Sequence, residues 1–167
     1  MSCNVSFLVF SFSIKHLILT PHILVGAAIA SQISNPVLGI IFAFFSHYVI
    51  DAIPHAEYSI NNVTRRQINF PALREFFFAF SDIATGLTLV YLLTLVGTHN
   101  QFAILASGFA AALPDSIHAS SYVFPPRIVK ILNIGHTLHS KYKNPPIFLG
   151  VLTQIGIILI AAFVLLV

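Results

Sequence analysis

The last 21 residues, Ile147 to Val167, carry no charged side chain. A helix needs roughly 20 apolar residues to cross a bilayer core of about 30 Å, and this run is long enough. A second run, Phe76 to Val96, is interrupted only by Ser81, Asp82 and threonines. Three shorter apolar stretches accompany them, at 20–30, at about 36–53 and at 102–113. Charged residues make up 8% of the 167 positions and hydrophobic ones 57%. Soluble domains carry about 25% charged residues, so the pattern predicts an all-α, polytopic membrane bundle of about five helices.

Local signals set the expected boundaries. Residues 5–14 are apolar but too short to span, and they lack the early positive charge and cleavage pattern of a signal peptide. Residues 1–19 are therefore expected to be an interfacial appendage, and 20–167 a single membrane-embedded helical domain. Thr20 is a plausible cap with Pro21 at the first helical position, and Ser31 to Pro36 ends that helix. Pro54 is expected to stop the second helix. Pro71 opens the third, and Pro114-Asp115 is expected to close the fourth after only twelve apolar residues. Residues 56–70 and 114–146 read as polar connections. No repeat and no low-complexity tract is visible.

Counting crossings puts the polar residues on one side. If helix 1 starts at side A, then helix 2 ends there, helix 3 starts there, helix 4 ends there and helix 5 leaves it. All eight Lys and Arg (Lys15, Arg65, Arg66, Arg74, Arg127, Lys130, Lys141 and Lys143) fall on that side. The opposite loops, 31–36 and 97–101, have none. The positive-inside rule then makes side A cytoplasmic, in the inner membrane of a cell. A formal charge of +3 within so apolar a chain gives no footprint for nucleic acid. The single cysteine, Cys3, excludes an intrachain disulfide and a cysteine-based zinc site.

The candidate ligands also gather at side A. His47 and Asp51 are four apart on one helix face, and Pro54 swings His55 back beside them. His22 lies at the start of helix 1, Asp82 in the near half of helix 3, and Asp115 at the end of helix 4. His136 and His139 precede helix 5. His22, Asp51 and Asp82 each lie roughly 6–12 Å inside the nearest charged boundary residue, at 1.5 Å per residue. Imidazole and carboxylate donors suit Zn²⁺, with Mn²⁺ or Fe²⁺ as alternatives. Each residue also has a plainer reading. His22 could be interfacial, His47 and Asp51 a buried hydrogen bond, Asp82 a proton relay or a partner for an arginine, and Asp115 part of a helix-ending turn. His136 and His139 could be solvated loop histidines.

Four segments carry a family likeness: Thr20 to Gly26, Ser46 to His55, Ala112 to Asp115 and His136 to Ser140. Together they resemble the predicted membrane-bound, metal-dependent hydrolases of bacteria, also described as LexA-binding inner-membrane-associated hydrolases. The likeness runs from about residue 20 to 140. The His-x₃-Asp pattern with later histidines is also similar to zinc-dependent phospholipase C. Two features depart from these patterns. Ser140 stands where the hydrolase relatives often carry another histidine, and the chain has no tryptophan to match the phospholipases' amino-terminal ligand.

The resulting expectation is a hydrolase at the cytoplasmic membrane face, acting on an ester or phosphoester of an amphiphilic, lipid-like substrate. His22, His47, Asp51, His55, Asp115 and His136 or His139 would hold one or two divalent ions, zinc first. Asp51 and Asp82 would be the catalytic carboxylates, with Asp82 as ligand, ligand-orienting residue or general base. The basic rim at 127–143 would meet anionic lipid. The alternatives are a metal-ion or proton transporter and a non-catalytic metal-binding membrane protein. A bis-histidine haem protein fits poorly beside two carboxylates.

Overall fold

A computed structural model describes residues 19–55, 69–95, 100–120 and 146–167. Those residues form five helices and no strand: α1 Leu19–Ser31, α2 Pro36–Asp51, α3 Phe70–Thr94, α4 Gln101–Ser120 and α5 Ile147–Leu166. The expected all-helical class is observed. Residues 1–18, 56–68, 96–99 and 121–145 lie outside the described residues, and with them His136, His139 and every lysine and arginine except Arg74.

Three helix starts follow the sequence closely. Asn35 caps α2, its side-chain oxygen accepting from the N–H groups of Val37 (3.0 Å) and Leu38 (3.3 Å) ahead of Pro36. Asn69 caps α3 in the same way through Ala72 N–H (3.0 Å), with Pro71 in the first turn. Asn100 accepts from Ala103 N–H (3.2 Å) at the start of α4.

Two expectations need correction. First, α1 begins at Leu19 rather than after a Thr20 cap, so Leu19 belongs to the bundle and not to the appendage. Its first N–H groups are satisfied from another helix, as described below. Second, α4 does not stop at Pro114 but runs on to Ser120 with the proline inside it. Proline removes one ladder bond, the one to the carbonyl of Ala110, and bonding can resume a turn later. At 1.5 Å per residue α4 is then about 30 Å long instead of a half-span.

The shortest of the described helices, α1, sits at the centre. Ten of the 13 residues of α1 are buried, and it packs against each of the other four helices. Close approach depends on small side chains. A Cβ at Gly26 would lie 2.5 Å from the Cβ of Ala111 and 3.2 Å from that of Ala43, so α1, α2 and α4 nearly touch there. Gly26→Val should overpack that junction and destabilise the bundle by about 1–3 kcal/mol. Thermal unfolding in detergent measures this, and an unchanged midpoint would show that the helices can part freely.

The outer faces are apolar. Phe45 and Val49 on α2, Phe76, Phe77 and Phe80 on α3, and Phe148, Ile160 and Phe163 on α5 are all more than half exposed. Two helices, α3 and α5, are long and apolar enough to cross a membrane.

Candidate metal centre

Three helices meet at the end of the bundle where α1 begins. His22 projects from the first turn of α1, while His47 and Asp51 come from successive turns of α2. Asp115 and the backbone carbonyl of Ala111 come from successive turns of α4. Burial is near complete for His22 (1% exposed) and His47 (0%). Nitrogen and carboxylate atoms of His22, His47 and Asp51 lie within 4.8 Å of one another, a group that could hold a metal ion.

The proton arrangement at His47 follows from its neighbours. Its Nδ1 lies 2.9 Å from the carbonyl oxygen of Ala111, which can only accept, so Nδ1 carries the hydrogen. In the neutral ring Nε2 is then a bare lone pair. That lone pair faces Asp51 Oδ2 at 3.2 Å and Asp115 Oδ1 at 3.3 Å, and it makes no hydrogen bond. Asp51 turns its other oxygen, Oδ1, to His22 Nε2 at 3.4 Å. Pro114 lies next to this arrangement. By removing the bond to Ala110 it opens the α4 ladder beside the carbonyl that His47 uses.

These separations fit a shared cation better than direct pairing. Charge-assisted N–H···O bonds run about 2.7–2.9 Å. Two donors bound at about 2.0–2.2 Å to one tetrahedral ion are held about 3.3–3.6 Å apart. The observed 3.2, 3.3 and 3.4 Å sit beside the second range. The hydrogen bond from the far nitrogen of His47 to a backbone carbonyl is the support that metal-binding imidazoles generally have.

The remaining expected residues fall in three places. His55 lies beside the group, its ring centre 6.1 Å from that of His22. Its Nδ1 donates to the Ile53 carbonyl at 2.8 Å, which leaves Nε2 as an acceptor. Asp82 is placed differently from a ligand or general base. Its carboxylate accepts from the backbone N–H of Leu19 (2.7 Å) and of Thr20 (3.3 Å) and from the Thr20 hydroxyl (2.5 Å). His136 and His139 lie outside the described residues.

Several contributors were not visible as site residues in the sequence. Tyr48 stands edge-on to His47, with ring centres 5.5 Å apart. The Thr153 hydroxyl of α5 reaches the Pro54 carbonyl at 2.6 Å and so ties down the turn that carries His55. The Ala111 carbonyl belongs to the backbone and had no residue-type signal, since Pro114 frees the carbonyl of Ala110 and not that of Ala111. Thr153 had none either.

No known protein family, curated protein or solved structure matches the chain. Its class therefore rests on fold and site: an all-helical bundle with two helices able to cross a membrane and a buried His/Asp group able to take a metal ion.

Proposed function

We propose that the chain is a multi-pass protein of the cytoplasmic membrane that uses a divalent ion, zinc first, to hydrolyse an ester or phosphoester of an amphiphilic substrate. One observation carries the reading. His47 Nε2, buried and left as the ring's acceptor in the neutral tautomer that the bond to Ala111 selects, points between two carboxylate oxygens at 3.2 and 3.3 Å. Three lone-pair donors turned on one another in a buried place repel unless positive charge, a proton or a metal ion, lies among them, and spacings of 3.2–3.4 Å favour the ion.

The membrane assignment draws support from the apolar outer faces. Aromatic and branched side chains exposed along α2, α3 and α5 exceed what water-facing surfaces of a monomer carry. With the helices crossing in turn, the order of the sequence assigns all eight Lys and Arg to the side from which α1 starts, and the positive-inside rule would make that side cytoplasmic. The likeness of the Thr20–Gly26, Ser46–His55 and Ala112–Asp115 segments to membrane-bound metal-dependent hydrolases points the same way.

His22, His47, Asp51 and Asp115 would hold the ion, with His55 at the edge. A bound divalent ion would polarise the scissile group and make its water a nucleophile near neutral pH. Asp115 has the most open side chain of the four, 29% exposed, so it is the carboxylate that an incoming substrate meets. Asp82, engaged at the start of α1, is not placed to act as the general base.

A transporter would need a polar path to the other end. Directly beyond the ligands Gly26 packs closely against Ala43 and Ala111, which supports a site closed toward that end. Wild-type protein in lipid vesicles, loaded with zinc and offered anionic phosphoesters and carboxylic esters, should cleave at least one class and stop when a chelator is added. Ion flux across those vesicles with every ester intact would replace this reading with transport.

A further inference from the structure

We infer that Asp82 is a positioning residue for the metal centre: acting from α3, it fixes the depth and rotation of α1 and so places His22 against Asp51. The inference rests on the metal reading above and adds a role for a residue outside the ligand group.

A helix leaves its first N–H groups without partners inside the helix. In α1 those include Leu19 and Thr20, while Pro21 has none. The usual remedy is a side chain just before the helix. Here it comes from 62 and 63 residues away in sequence, where Asp82 accepts from both Leu19 and Thr20. The Thr20 hydroxyl adds a bond to the same carboxylate. All of this is buried: Thr20 is 0% exposed and Asp82 4%. A buried carboxylate needs such donors, and the positive end of the α1 dipole also favours it.

The grip extends over two turns. Four residues beyond Asp82, Gly86 lacks the side chain that would collide with Ile23, whose Cδ1 lies 2.8 Å from where a Cβ would be. Leu19 and Ile23 are four apart and share a face of α1, so that face is held against α3. His22 precedes Ile23 by one residue, about 100° round the helix at 3.6 residues per turn. With Leu19 and Ile23 fixed on α3, His22 is turned toward α2, where its Nε2 reaches Asp51 Oδ1. A slip of α1 along α3, or a small rotation, would spoil a donor spacing set to tenths of an ångström.

Asp82→Asn keeps the shape of the side chain but replaces one accepting oxygen with an N–H₂ group, which cannot accept from Leu19 or Thr20. The test is Co²⁺ titration of the full-length protein in detergent micelles, followed by visible absorption. Four proteins form a cycle: wild type, His22→Ala, Asp82→Asn and the double variant. Asp82→Asn should weaken Co²⁺ binding about 10–100-fold, the usual cost of losing a support behind a metal ligand. The double variant should bind no more weakly than His22→Ala, to within about twofold, because Asp82 acts only through His22. Thr20→Val should shift affinity in the same direction if Asp82→Asn does not fold, and Thr20→Ser should restore it. Multiplying losses in the double variant would assign Asp82 a general stabilising role and overturn the inference, as would wild-type affinity in Asp82→Asn. A wild type that binds no Co²⁺ removes the metal reading itself.

Discussion

Asp51→Asn should yield a folded bundle that gains no heat stability from zinc. Both oxygens of Asp51 face imidazoles, Oδ1 toward His22 at 3.4 Å and Oδ2 toward His47 at 3.2 Å. Asparagine keeps the volume but offers one oxygen and no charge, so it balances no part of a divalent cation. A ligand at 100 times its dissociation constant stabilises the folded state by about 2.7 kcal/mol. Wild type titrated with zinc should show an upward shift of its unfolding midpoint corresponding to that gain, and Asp51→Asn should show none over the same range. Hydrolysis, where the wild type supports it, should fall by about 10–100-fold or more. A full zinc-dependent shift in Asp51→Asn would mean that the ion, if bound, sits elsewhere.

How legible the fold was depended on where each helix finds its partners. Asn35-Pro36 and Asn69-Phe70-Pro71 carry their own start signals, and α2 and α3 begin at those residues. The end of α2 was legible too, because Pro54 forces a stop and the chain tightens through Ile53 N–H to Ile50 O (2.9 Å). α1 and α4 were less so. The start of α1 is satisfied by Asp82 across the bundle, and no window around Thr20 contains that information. α4 carries a helix-breaking residue yet continues, since packing against α1 and α2 outweighs one missing ladder bond.

Site residues followed the same division. The His47/Asp51 pair needed only helical spacing. His22 and Asp115 needed the assumption of alternating crossings, and the structure brings all four together. Asp82 shows the limit of such counting. Its depth and side matched the ligands, but depth does not specify rotation about the helix axis, and Asp82 faces the start of α1 instead. The Ala111 carbonyl belongs to the backbone, so residue types could not reveal it. Its part in the site follows only from the contact between α2 and α4.

His47 allows its structural and chemical roles to be separated, with the larger effect in the alanine variant. His47→Ala removes the donor to the Ala111 carbonyl and the lone pair facing Asp51 and Asp115. It also leaves a cavity where a fully buried ring stood. A buried carbonyl left without its partner costs about 1–3 kcal/mol, and a large-to-alanine change in a core about 2–5 kcal/mol. Two carboxylates would also lose the group between them. His47→Ala should therefore lose metal and lose stability together. His47→Asn differs in one respect. Its amide nitrogen is attached where Nδ1 is, one bond beyond Cβ–Cγ, so it can still donate to Ala111, while nothing occupies the place of Nε2. His47→Asn should recover a substantial part of the unfolding midpoint lost in His47→Ala and still contain no stoichiometric metal by elemental analysis. Metal retained in His47→Asn at the wild-type level would take Nε2 out of the ligand set. Equal stability of the two variants would instead show that the bond to Ala111 contributes little and that His47 acts only through the group it faces.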